Sequence, residues 1–164
     1  DRAQQAGDDL VRHIYLEPTG NSSLSLVSDL QVPARYMQIE SSSSEEVQHL
    51  GQWLGESLPF IPLGELQQDA RRGGEADPYL LVRLALGAGQ QAETETTAIL
   101  ENGLRSANDL LRFRAAQAMG LTSWPIFAPQ LAEHNQADPS PEVREMASLS
   151  LTACKPGSPD RAQR

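Results

Sequence analysis

The chain has 164 residues, 39% hydrophobic and only 5% aromatic, which suits one domain whose core is made of Leu, Ala and Val between thin elements. Its formal charge is −9, with 22 acidic residues against 13 basic, and the balance is uneven: up to Glu75 there are 12 acidic and 5 basic residues. That excess disfavours a nucleic-acid or anionic-membrane partner, no apolar run approaches the ~20 residues that span a bilayer, and the single cysteine excludes an internal disulfide.

The first sixteen residues place Leu10, Val11, Ile14 and Tyr15 at helical spacing, so a helix is expected there, closed by the turn residues Glu17 to Asn21. From Ser22 to Glu40 two patterns compete. Leu24, Leu26, Leu30 and Val32 alternate as in a strand, whereas Leu26, Val27 and Leu30 also fit a helix, and Pro33 interrupts both. An irregular or degenerate helical pair is the expectation, making residues 1–42 an N-terminal helix followed by an irregular segment. Asn21-Ser-Ser23 matches a glycosylation acceptor, a pattern too short to weigh much.

At Ser43 the signals sharpen. Ser43 and Glu46 have capping-box spacing, and Val47, Leu50, Trp53 and Leu54 form an apolar stripe behind them. Pro59 to Leu63 opens a second helix, which Arg71-Arg-Gly-Gly74 stops with basic residues at the negative end of the dipole and a glycine cap. Three further helices are expected in the repeated segments that begin at Ala76, Ala107 and Ala137, with partner helices around Glu93 to Leu104 and Pro125 to His134, the last of the series ending near Cys154. Gly87-Ala-Gly89 closes the first of these rather than opening a nucleotide site, since no strand precedes it. Residues 155–164 read as a mobile polar tail.

Three segments repeat one another. Ala76-Asp-Pro-Tyr-Leu-Leu-Val-Arg83, Ala107-Asn-Asp-Leu-Leu-Arg-Phe-Arg114 and Ala137-Asp-Pro-Ser-Pro-Glu-Val-Arg144 each end on an arginine, 31 and then 30 residues apart. Regular spacing of that kind marks units too small to bury their own apolar faces, which must stack. After the three arginines come Leu84, Ala115 and Glu145, so the last helix turns polar on its outer face, as an end unit does.

These segments resemble HEAT repeats, with Asp before the helix, Pro at its start and Val-Arg one turn in. Units of about 30 residues are similar to the short bacterial HEAT-like class that includes phycobilin lyase subunits. The resemblance implies an all-α fold, a right-handed α-solenoid of stacked antiparallel helix pairs over 43–154. It also implies a structural ladder of charge-assisted bonds between units, made by Asp77, Arg83, Asn108, Arg114, Asp138 and Arg144, with Asn108 in place of Asp at the middle rung.

Off the ladder, Arg112 and Arg105 are the better surface candidates. Trp53 and Trp124 are candidate anchors, Trp124 equally a staple for the helix after Pro125, and Gln117 interrupts an apolar face and marks a partly open site. His13, His49 and His134 stand apart, so no metal is expected, nor any cofactor, and Cys154 ends an apolar pattern as an inert buried thiol. Glu133-His134-Asn135 sits where polar residues cap helices. The expected function is non-enzymatic: a scaffold or adaptor gripping one protein partner, one with a basic patch, on its concave helical face, with no nucleic acid and no transmembrane segment. The alternative is a subunit of a HEAT-like lyase or isomerase acting on a protein-attached chromophore or cofactor. Because the chain begins at Asp1, the compartment is either cytoplasmic or, after removal of a signal peptide, periplasmic or exported.

Overall fold

A computed structural model of the chain describes residues 2–5, 10–16, 22–29 and 34–155. It divides into two compact units, the first up to Phe60 and the second from Ile61.

The first unit corrects the expectation for residues 1–42 and with it the all-α class. Strands β1 (Arg2–Gln5), β2 (Leu10–Leu16), β3 (Ser22–Asp29) and β4 (Ala34–Ser41) form an antiparallel sheet in sequence order. The β3–β4 register explains why. Leu24 lies opposite Ile39 and Leu26 opposite Met37, so the alternating leucines become cross-strand apolar pairs, while Ser23, Ser25 and Val27 face Glu40, Gln38 and Tyr36. On the second face Glu40 accepts hydrogen bonds from Ser23 Oγ (3.4 Å) and Gln38 Nε2 (2.8 Å). The helical spacing of Leu10, Val11, Ile14 and Tyr15 was misleading because β-branched and aromatic residues also suit a strand, and β2 is held by its ladder with β3. Pro33 and Asn21 lie outside the described residues.

Helix α1 (Ser44–Ser57) packs on β4 and lies in the first unit, which runs to Phe60, whereas the division expected from the sequence falls at 43. Ser43 caps it by accepting from the Glu46 backbone N–H at 3.3 Å. The reciprocal half of the capping box is displaced, because the Glu46 carboxylate takes its hydrogen bond from Ser41 Oγ and Ser41 Oγ in turn accepts from the Ser43 N–H.

Among its described residues the second unit contains helices and connecting turns but no strand. Its elements are α2 (Leu63–Gly73), α3 (Tyr79–Gly87), α4 (Thr94–Leu104), α5 (Asp109–Thr122), a 3₁₀ turn at Pro125–Phe127, α6 (Ala128–Ala137) and α7 (Pro141–Cys154). They pair in sequence as α2/α3, α4/α5 and α6/α7, while α3, α5 and α7 pack side by side and α2 meets α4. Side-chain acceptors start three of them: Glu93 for α4, Asn108 for α5 and Ser140 for α7. One core runs from Ala70 to Cys154, with Leu81, Leu84, Leu100, Leu104, Ala115, Met119, Phe127, Leu131 and Ala147 buried. Of the residues that helical spacing turns inward, Val82, Ile99, Leu100, Leu104, Phe127, Leu131 and Val143 are buried, whereas Leu86, Phe113, Ala128 and Met146 are only half-buried, and Glu145 is exposed. Small residues set the helix approach: a Cβ on Gly120 would stand 2.5 Å from Ser150 Oγ and 3.0 Å from Ser150 Cα, so α5 and α7 touch there. The tail expected at 155–164 falls outside the described residues beyond Lys155.

Candidate functional site

The repeated Asx residues open the second helix of each pair. Asp77 accepts from the Tyr79 N–H (3.1 Å), Asn108 from Leu110 (3.0 Å) and Leu111 (3.4 Å), and Asp138 from Ser140 (2.9 Å). A short side chain carrying an acceptor at this place satisfies backbone donors that the first turn leaves free.

The repeated arginines then diverge. Arg83 reaches back within its own segment to Asp77 at 2.5 Å. Arg144 also reaches back, but to the backbone carbonyls of Asp138 (2.6 Å) and Pro139 (3.3 Å) rather than to the carboxylate. Arg114, facing an Asn instead of an Asp, turns to the neighbouring helix. Its Nη2 donates to Tyr79 Oη on α3 and its Nη1 to Gln117 Oε1, both at 2.7 Å, with the guanidinium 4.1 Å from the centre of the Tyr79 ring. Among the described residues Arg83 and Arg144 thus bond within their own segments, and of the three repeated arginines only Arg114 crosses to a neighbouring pair, so the expected ladder of bonds between units is not what these contacts form.

The charged strut between units is made by Arg112, expected on the surface and found buried. Its Nε and Nη2 grip both oxygens of Asp138 at 2.9 and 3.0 Å, and its Nη1 donates to the carbonyls of Ser106 (3.0 Å) and Ala107 (3.1 Å). Asp138 also meets His134 Nδ1 at 2.8 Å, which gives the Glu133-His134-Asn135 stretch a structural partner. The Asp138 side chain is 1% exposed. Burial pushes its carboxyl up, yet hydrogen bonds from Arg112, His134 and the Ser140 N–H outweigh this and hold it at about 2. The repeat gave no clear signal for the strut, since the place of Arg112 is held by buried Leu81 in the first segment and by exposed Glu142 in the third.

Of the two tryptophans only Trp53 is exposed, at 53%. Trp124 is a staple and not a surface anchor: it is buried, stacks on Phe127 at 5.8 Å between ring centres, and donates from Nε1 to the Gly89 carbonyl at 3.0 Å. Arg105 stays on the surface beside Glu101 (3.1 Å), and Gln117 is half-buried under Arg114. Cys154 is buried, with Sγ 3.5 Å from the Met119 carbonyl. His49 is exposed, and the His13 side chain lies outside the described residues. Among the described residues no three His, Cys, Asp or Glu side chains converge as metal ligands, and no helix is long and apolar enough to cross a membrane.

Accessible residues on α3, α5 and α7 include Tyr79 and Arg83, then Phe113, Arg114 and Gln117, then Arg144 and Met146, all half-buried, beside the exposed Leu110 and Leu149. No family model matches the chain, and no curated protein and no solved structure matches it.

Proposed function

We propose that the second unit is a short HEAT-like right-handed solenoid and that it works as a non-enzymatic protein-binding module. One observation carries this reading: α3, α5 and α7, the second helices of three successive pairs, pack side by side and carry the half-buried Tyr79, Arg83, Phe113, Arg114 and Arg144, of which Arg114 joins α5 to Tyr79 on α3. Tyr and Arg dominate binding hot spots, and here each is already oriented by its neighbours, which lowers the ordering cost of docking. The surrounding field favours a basic partner, because between residues 61 and 154 twelve carboxylates face seven arginines.

The test is affinity capture of the full chain from its source cell after nuclease treatment, with mass spectrometric identification of what is retained. A stoichiometric protein whose association rate falls as salt is raised is the expected result. No retained protein, or a rate indifferent to salt, counts against the reading.

A further inference from the structure

The second unit contains its own control experiment, since the layers repeat. Between the α4/α5 and α6/α7 pairs, the space beside the turn 106–108 is occupied by the Arg112 guanidinium clamped on Asp138. In the layer before it, the place of Arg112 is taken by Leu81 and that of Asp138 by Asn108. Both members of the strut are missing together, which leaves no buried charge unpaired. At that place the surface opens into a groove of about 510 Å³, and Leu81 and Asn108 are among the residues that line it.

The groove retains part of the acceptor set that an arginine would use, through Glu75 on its lining and Ala76 next to it in the chain. The carbonyls of Ser106 and Ala107, which Arg112 binds in the upper layer, correspond to those of Glu75 and Ala76 in the lower one. Neither of the latter accepts a hydrogen bond among the described residues. The Glu75 carboxylate, exposed on the rim, has no ion-pair partner among them, and the side chain of Asn102 on α4 has no hydrogen bond. Arg71 stands on the same rim, but it is held by Glu95 at 2.7 Å. The floor of Ala70, Leu81, Ile99 and Gly103 suits the methylene stem of a long cation.

We infer that this groove receives an arginine side chain from the protein partner, seated where Arg112 sits one layer up. The site rests on the protein-binding reading for the source of its arginine, although Arg83, Arg114 and Arg144 do not line it. A guanidinium fits better than an ammonium, because its fork can meet a carboxylate and backbone carbonyls at once, as Arg112 does.

The experiment is a ¹⁵N-HSQC titration of the full chain with N-acetyl-arginine amide and, in parallel, N-acetyl-lysine amide. The expected result is saturable shifts at the amides of Glu75, Ala76, Asn102 and Asn108 that the lysine probe does not reproduce. Glu75→Arg, a change on the exposed rim, should weaken the arginine probe about tenfold. Leu81→Arg with Asn108→Asp rebuilds the strut internally and should abolish the response. If that double variant fails to fold, Glu75→Arg still decides. Equal responses to the two probes, shifts elsewhere, or an unchanged affinity in Glu75→Arg overturn the site. A captured partner together with a silent groove would remove this site and leave the protein-binding reading standing; a specific arginine response with no partner would do the reverse.

Discussion

The Arg112–Asp138 strut offers the sharpest perturbation, because its lower-layer counterpart shows what its absence looks like. Arg112→Leu leaves the Asp138 carboxylate, 1% exposed, with only His134 and the Ser140 N–H for partners. Breaking one side of a buried pair costs about 3–5 kcal/mol. Asp138→Asn strands the guanidinium less severely, since Arg112 keeps the carbonyls of Ser106 and Ala107. The double change reproduces the Leu81/Asn108 combination and leaves no buried charge, so its cost should fall short of the summed single costs by about 1–3 kcal/mol. Urea denaturation followed by circular dichroism measures all three. The pH dependence gives a second reading. The folded Asp138 carboxyl sits at about 2, below its ordinary 3.8, so it stabilises the fold above that ordinary value and loses its contribution as pH falls towards 2. A displacement of that size corresponds to about 2 kcal/mol. Arg112→Leu should flatten this acid limb. Single variants that cost less than about 0.5 kcal/mol, or strictly additive costs in the double variant, would refute the reasoning.

Four further outcomes are expected. Gly120→Ala, which would gain about 1 kcal/mol in an open helix, should instead lower stability by about 1–3 kcal/mol, because its Cβ meets Ser150; a raised melting temperature contradicts the close approach. Tyr79→Phe should cost about 1 kcal/mol through the lost hydrogen bond from Arg114, and Tyr79→Leu measurably more, since the ring face is lost as well; equal melting temperatures for the two would dismiss the stacking contribution. Trp53→Phe should remove the long-wavelength part of the fluorescence and leave the blue emission of buried Trp124; emission that stays red-shifted would place Trp124 in water. Glu93 caps α4 through the Thr96 and Glu95 N–H groups and binds Gln67 on α2, and those backbone bonds hold its carboxyl below 4.5. Glu93→Ala should therefore cost about 1 kcal/mol at neutral pH, with the difference from the native protein shrinking in acid as the native carboxyl takes up its proton; a difference that grows in acid would show the sign to be wrong.

From Ser43 onward, much of the second unit and the helix before it was legible in the residues themselves. Helix starts depend on hydrogen bonds that span two or three residues, so Ser43 and the repeated Asp77, Asn108 and Asp138 announce them locally. The inward positions Val82, Ile99, Leu131 and Val143 follow from a period of 3.6, and Asp77 with Arg83 lies within reach along one segment. Interactions across larger separations carried no such mark. Leu10 to Tyr15 fits two periods, and only the ladder with β3 settles it as a strand. Arg112 finds Asp138 at a separation of 26 residues, and Arg114 finds Tyr79 at 35. Trp124 likewise reaches Gly89 across 35 residues, which decides between anchor and staple. Local sequence thus determined where helices begin, which face is apolar and that units recur, because those depend on neighbours within about one turn. Which charge is buried, which aromatic is covered and which layer keeps an open groove depended on side chains that only the packed fold brings together.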